Sequence, residues 1–313
     1  MNSALIMFMG TPEFALPSLE ALHLSSHRVG AVVTPPDRPR GRGLRISYSP
    51  VKKFALKAGI KVLQPASLKC PEFWQELKEI SPDLIVTAAY GKILPPALLE
   101  FPPLGGINLH ASLLPAYRGA APIHRAVMAG ETLTGVTVIK MTDQLDSGEI
   151  LMQASEQILI EDTAGSLHDR LAAKGGHLLL QAVEALVSGT AVPVAQDSLA
   201  ASYAPPLKPE EERIDWGRSN LEIYNHIRGL NPYPGVYTGF NGKRLKVRQA
   251  AYPVPEEKSA QPGEVLQIDG EAITVGTACG LLNLLEVQPA GRPVMTAGAF
   301  SRGYDIKPGF RFS

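Results

Sequence analysis

The sequence predicts an α/β protein: a first domain over residues 1–188 on a parallel-dominated sheet, a linker over 189–206, and a smaller OB-like β-barrel domain over 207–313. Three observations carry this reading. Apolar strand-like runs alternate with helical patterns through the first part of the chain, as βαβ units require. Both periodicities lapse in SGTAVPVAQDSLAASYAPP, from Ser188 to Pro206. Short strand-like runs at regular turn spacing then fill the C-terminal part, matching a small all-β barrel.

Taken in order, ALIMFM is the first strand and a helix follows Pro12. RVGAVV is the second strand, helices follow Pro50 and start at Pro71, and KVL is the strand between them. LIVTAA and GINLH come next, GVTVIKM alternates apolar and polar residues, and ILMQASEQILI reads as a later, antiparallel strand. A long helix from about Ala164 to Val187 closes the domain, weakened by Gly175 and Gly176. Past the linker, a short helix around Leu221 to Leu230 precedes GVYTGF, LKVRQAAY, GEVLQI, AITVGT and GLLNLLEV.

Composition sets the bounds. A length of 313 residues suits two domains with ample apolar residues for each core. Thirty Lys and Arg balance thirty Asp and Glu, so any polyanion must be held by a local patch rather than by net charge. Cys70 and Cys279 lie far apart without His or Cys at metal spacing, which argues against a disulfide framework and a metal site. The start MNSALIMFMG has no positive leader and runs into TPEF, so it reads as a strand, and a cytoplasmic location without membrane contact is expected. The first strand-to-helix turn has a single glycine, Gly10, where a dinucleotide fingerprint would have GxGxxG, so NAD binding is disfavoured.

The most informative run is GINLHASLLPAYRGAAPIHRAVMAGE, Gly105 to Glu131. Asn108 and His110 are two apart in a strand and share a face, while Ile107 and Leu109 point to the opposite one. An amide and an imidazole converging on one spot suit a reaction in which negative charge develops on a carbonyl oxygen. Asp146, in the loop TDQLDSGEIL, could meet the pair if that loop lines the crevice at the carboxyl ends of the strands. A carboxylate there would orient the ring and favour its charged form. Singly, a strand histidine is more often a structural group and Asp-Ser-Gly is an ordinary turn. The combination with SLLP is far rarer than its parts and favours catalysis.

NLHASLLPAYRGAAP followed by TGVTVIKMTDQLDSGEIL resembles the folate-dependent formyltransferases. GTPEFA, PDRPRGRG (Pro36 to Gly43), SPVK (Ser49 to Lys52), AYGKILP (Ala89 to Pro95), ERIDW (Glu212 to Trp216) and NPYPGVY (Asn231 to Tyr237) extend the resemblance over nearly the whole chain. Of these, PDRPRGRG, ERIDW and NPYPG narrow it to the branch that acts on initiator methionyl-tRNA. The resemblance implies a Rossmann-like formyltransferase domain joined to an OB-like domain that helps hold tRNA, 10-formyltetrahydrofolate as co-substrate, and a monomer. Its catalytic trio falls on Asn108, His110 and Asp146, and its folate-contacting turn on Ser112, Leu113, Leu114 and Pro115.

Tyr90, Gly91, Ile93 and Leu94 fit a flat slot for the pterin, although Ile93 and Leu94 fit equally as caps on the sheet. For tRNA, PDRPRGRGLR carries Arg38, Arg40, Arg42 and Arg45, and the resemblance makes Arg42 the critical one. Arg244, Lys246 and Arg248 share a strand face that reads equally as a phosphate track or as a solvated edge strand. Pro206 stands where the family often has a first linker lysine, leaving Lys208 as the second. A 10-formyltetrahydrofolate hydrolase and an amino-sugar-nucleotide formyltransferase share the trio, and a non-catalytic tRNA-binding protein could share the fold.

Overall fold

The computed structural model describes residues 3–37, 39–40, 45–253 and 260–313. The chain divides into two compact units. The first comprises Met1–Pro122, Thr134–Glu156 and His168–Ala204, and the second Ile123–Leu133, Gln157–Leu167 and Pro205–Ser313.

The elements up to residue 204 are β1 (Leu5–Gly10), α1 (Leu16–Leu24), β2 (Arg28–Val33), β3 (Pro39–Arg40), β4 (Arg45–Ile46), α2 (Pro50–Lys57), β5 (Lys61–Leu63), α3 (Pro71–Ile80), β6 (Leu84–Ala88), α4 (Pro96–Leu99), β7 (Gly106–His110), β8 (Arg118–Gly119), α5 (Pro122–Met128), β9 (Leu133–Lys140), β10 (Ile150–Gln157), α6 (Ala164–Val187) and β11 (Tyr203–Ala204). Proline opens α2, α3 and α4, where its missing N–H costs nothing, and Ser49 caps α2 by accepting from Lys52 N. Seven strands form one sheet in the order β10-β9-β7-β6-β1-β2-β5. The pairs β1–β2, β1–β6, β2–β5 and β6–β7 are parallel and β7–β9 is antiparallel. Every residue of β6 is buried, as a parallel strand covered on both faces requires.

The chain leaves β1 toward β2 and β5, then returns to the other side of β1 for β6 and β7. That reversal is the switch point at which open α/β sheets bind ligands, at the carboxyl ends of the strands. Gly10 pairs with Ala88, and Ala88 with Leu109, so the ends of β1, β6 and β7 lie side by side. The two glycines of α6, expected to weaken it, are approach points. A Cβ on Gly175 would lie 2.6 Å from Leu109 Cδ2, and one on Gly176 would lie 2.8 Å from the Pro17 backbone. The helix is thereby seated directly behind the residue between Asn108 and His110.

The stretch from Gly189 to Ala204 is hydrogen-bonded into the first unit. Val194 exchanges both backbone hydrogen bonds with Ile150, and Tyr203–Ala204 pairs in parallel with Arg118–Gly119. Lack of periodicity there reflects single non-local pairings, not a free connection.

The second unit holds α7 (Asn220–Gly229), β12 (Val236–Phe240), β13 (Lys243–Ala250), β14 (Val265–Asp269), β15 (Ala272–Gly276), β16 (Leu281–Pro289), β17 (Met295–Thr296) and α8 (Ala297–Tyr304). Its sheet is antiparallel, ordered β12-β13-β16-β15-β14, with β17 paired to β16. The C-terminal residues bridge the two ends of that path: Phe310 and Phe312 bond to Val265 and Gly263 beside β14, while Ser313 bonds to Gly239 of β12. The barrel expected from the strand spacing is thus closed by the chain terminus. Inside are Ile223 and Ile227 of α7, Phe300 of α8 and alternate strand residues such as Leu245, Val247 and Val287. The ERIDW segment belongs to this core: Ile214 and Trp216 are buried, and Trp216 Nε1 donates to Thr238 Oγ1 at 3.0 Å.

Candidate active site and nucleic-acid interface

Ile107 and Leu109 are buried, so β7 is fixed in register, and Asn108 and His110 share its other face. Asn108 Oδ1 accepts from Thr87 Oγ1 at 2.6 Å. With its oxygen engaged, the amide presents its two N–H donors away from Thr87. His110 is 6% exposed. Its Nε2 lies 2.9 Å from the Tyr117 carbonyl oxygen and donates to it, and its Nδ1 faces Asp146 Oδ2 at 3.5 Å. Both ring nitrogens therefore face acceptors, and the Nδ1 distance exceeds a good hydrogen bond. The same Asp146 oxygen accepts from Gly119 N at 2.9 Å.

Asp146 meets His110 by a different route from the one expected. β9 runs antiparallel to β7, with Ile107 opposite Lys140 and His110 opposite Thr137. The loop after β9 consequently leaves beside Gly106, where Met141 N donates to the Gly106 carbonyl. From there to His110 is four strand residues, about 13 Å. Asp146 is five residues past Met141, which reaches about 17 Å when extended, so the loop is long enough to come back. Gly148 permits it: a Cβ there would sit 1.7 Å from the Lys140 carbonyl oxygen. Asp146 itself has φ +48°, in the left-handed region.

The Ser112–Pro115 turn is pinned from below. Thr137 Oγ1 donates to the Ser112 carbonyl at 2.6 Å and accepts from Leu114 N at 3.1 Å, and Gln153 Nε2 donates to the Leu114 carbonyl at 2.8 Å. Ser112 Oγ donates to the Ala116 carbonyl. Leu114 is buried and Leu113 half-buried, the latter in the gap that Gly135 leaves, since a Cβ on Gly135 would meet Leu113 Cδ2 at 2.5 Å. Of the residues around AYGKILP, Gly91 has φ +77° and Ile93 is 77% exposed, whereas Leu94 is a core residue packed among Met9, Ile85 and Leu98. For Leu94 the capping reading holds. Tyr90 is buried, which pushes its hydroxyl up to about 12, and that hydroxyl has no hydrogen-bond partner among the described residues.

Arg38 and Arg42 lie outside the described residues. Before them, Asp37 accepts from Lys52 Nζ and Gln64 Nε2, and the Lys52 bond holds its carboxyl below the usual range. Lys52 also sits over the Tyr48 ring at 4.0 Å. In the second unit, β13 pairs with β12 on one side and β16 on the other, so the edge-strand reading of Arg244, Lys246 and Arg248 is overturned. Leu245 and Val247 face the core and the three cations face out. Arg244 lies over the Tyr237 ring at 4.3 Å. Lys246 Nζ donates to the Pro234 carbonyl at 3.0 Å, and Arg248 donates to the Pro232 carbonyl at 3.1 Å and to Gln288 Oε1. The NPYPG segment thus orients two of the three cations through neutral oxygens. Lys208 is exposed at the head of a short turn containing Glu210, Glu211 and Glu212, and Glu211 accepts at its backbone N–H. Its surroundings are acidic, which weakens it as a lone phosphate contact.

A family model described as formyl transferase matches residues 1–183, and one described as formyl transferase, C-terminal domain, matches residues 206–305. A methionyl-tRNA formyltransferase of Moorella thermoacetica is 48% identical over 304 residues, covering 97% of each chain. One of Heliobacterium modesticaldum is 48% identical, covering 98% of this chain and 99% of its own. The chain belongs to the methionyl-tRNA formyltransferase family. Among solved structures, an N-formyltransferase of Helicobacter canadensis, in complex with folinic acid and dTDP-3-aminofucose, superposes with TM-score 0.68 at 20% identity, covering 92% of this chain and all of that one. HypX of Aquifex aeolicus, in complex with tetrahydrofolic acid, gives TM-score 0.62 at 18% identity, covering 96% of this chain and 47% of that one. At those identities the likeness is one of fold.

In this methionyl-tRNA formyltransferase family member, sequence reading missed Thr87, Tyr117 and Gly119, which hold Asn108, His110 and Asp146, and Thr137 and Gln153, which hold the Ser112–Pro115 turn. A threonine in an otherwise apolar strand, LIVTAA, is the one local signal among them.

Proposed function

We propose that the chain transfers the formyl group of 10-formyltetrahydrofolate to the α-amino group of methionine esterified to initiator tRNA. The observation that carries this is the meeting of Asn108, His110 and Asp146 at the carboxyl end of β7, beside the sheet's switch point. Relatives named methionyl-tRNA formyltransferase over the full chain supply the acceptor.

The neutral amine attacks the formyl carbon, and the carbonyl oxygen becomes an oxyanion. Asn108 Nδ2–H and His110 Nδ1–H donate to it. Nδ1 is the nitrogen assigned because Nε2 is held by Tyr117. Asp146 takes a proton from the attacking nitrogen and passes it to the folate leaving nitrogen, and as the oxyanion returns to a carbonyl the bond between formyl carbon and folate nitrogen breaks. No covalent enzyme intermediate is involved. The Ser112–Pro115 turn, with Tyr90, Gly91 and Ile93, takes the folate. Arg42 and the Arg244–Lys246–Arg248 face take tRNA phosphates.

The test is formyl transfer to methionyl initiator tRNA, with methionyl elongator tRNA and a reaction without tRNA alongside. Rapid formylation of the initiator alone is expected. Folate turnover without tRNA would instead mark a hydrolase. Asn108→Ala and His110→Ala should each lower kcat about 100- to 1,000-fold, the usual cost of an oxyanion donor. Near wild-type turnover in either variant would refute the assignment.

A further inference from the structure

The stretch from Gly189 to Ala204 places one side chain directly on the Asp146 loop. Gln196 Nε2 donates to the carbonyl oxygens of Asp146 at 2.8 Å and Gly148 at 2.7 Å. Its Oε1 accepts from Arg118 Nη2 at 2.7 Å and Nε at 3.1 Å. Arg118 is buried, and its neighbours hold the other two ends of the site: Tyr117 accepts from His110 Nε2, and Gly119 N donates to Asp146 Oδ2. β8 is itself held by this stretch, since Ser202 Oγ accepts from Tyr117 N and the Ser202 carbonyl from Arg118 N.

We infer that Gln196 is a positioning residue for formyl transfer: by pinning the carbonyls on either side of Ser147 to Arg118, it sets where the Asp146 carboxylate stands relative to His110. The inference rests on the assignment of Asp146 and His110 to the reaction centre. Asp146 lies in the left-handed region, a conformation that L-residues seldom adopt and that persists where surroundings enforce it. Two loop carbonyls need two donors and Arg118 needs an acceptor. A primary amide supplies both in one planar group. A carboxylate of the same size supplies only acceptors. Gln196→Glu therefore keeps the volume and the Arg118 partner while setting an anion against two carbonyl oxygens.

The experiment uses the full chain with 10-formyltetrahydrofolate and methionyl initiator tRNA, comparing Gln196→Glu, Gln196→Ala, Asp146→Asn and the Asp146→Asn/Gln196→Glu double variant. Gln196→Glu is expected to lower kcat about tenfold or more, since displacement by a fraction of an ångström at a reacting centre already has such effects. KM for both substrates should stay within about twofold. In the Asp146→Asn background the second substitution should cost nothing more, because its effect passes through the missing carboxylate. Unchanged kcat in Gln196→Glu and Gln196→Ala, with Asp146→Asn strongly impaired, overturns the positioning role alone, as do losses that multiply in the double variant. Wild-type activity in Asp146→Asn overturns the assignment of the centre instead.

Discussion

The proposed catalytic end of the first unit and the basic face of the second solve opposite problems. Asn108, His110 and Asp146 are each met by a specific partner, Thr87 on Asn108, Tyr117 on His110 and Gly119 on Asp146, and Thr137 and Gln153 hold the SLLP turn. On β13 the partners of the cations among the described residues are neutral oxygens and a ring, so their charge is oriented but not cancelled there. Chemistry needs atoms held to a fraction of an ångström, whereas attraction to a phosphate backbone needs charge left available to it.

The largest effect that would break the comparison comes from Gly148. A Cβ there cannot coexist with the Lys140 carbonyl at 1.7 Å, so Gly148→Ala must shift the loop that carries Asp146. We expect a loss in kcat of about a hundredfold, the scale of a misplacement near 1 Å. Steady-state kinetics with both substrates saturating would check it, and a loss confined to KM would contradict it.

A smaller effect should follow from Arg244→Ala, Lys246→Ala and Arg248→Ala combined. At about 0.5 kcal/mol for each exposed charge pairing, KM for tRNA should rise about tenfold with kcat unchanged. The decisive readout is the slope of log KM against log salt, which should flatten by about 0.7–0.9 for each phosphate that is no longer neutralised. A drop in kcat at saturating tRNA would mean that this face also positions the reacting end.

These two regions were unequally legible. Ile107 and Leu109 alternate with Asn108 and His110, so β7 announces both its strand and its functional face within five residues. β13 does the same through Leu245 and Val247, but whether it lies at an edge depends on β16, nearly forty residues later, and no local pattern carries that. Gln196 was invisible for the same reason: its partners are carbonyls at 146 and 148 and a guanidinium at 118. Backbone carbonyls have no identity in the sequence. Gly175 and Gly176 misled in the opposite direction, since helix propensity counts their cost while the packing against Leu109 and Pro17 that requires them is tertiary. The Asp146 loop was placed correctly in space for a wrong reason, because alternation in GVTVIKM cannot reveal that β9 runs against β7.

The smallest expected effect concerns stability, and it separates the two units by pH. In the second unit His226 is buried, with Nε2 donating to the Glu211 carbonyl, and burial holds its pKa below the ordinary 6.5. Between that lowered value and 6.5 the unfolded chain binds more protons than the folded one, so stability must fall as pH drops through this window. Glu211 adds a second, more acidic step. Its bonds from Arg125 hold the carboxyl at about 2 against 4.5, so its contribution is complete above 4.5 and is lost as pH falls toward 2. Trp216 reports on this unit, because it is buried there and the other tryptophan, Trp74, lies in the first. In a Trp74→Phe background, fluorescence melts should show Tm falling as pH drops below about 6.5, and His226→Gln should shrink that fall while keeping an N–H for the Glu211 carbonyl. A change of about 1 kcal/mol moves Tm by about 4 °C in a unit of this size, which is well within reach of the measurement. Equal pH dependence with and without His226 would move the origin of the acid response to another group.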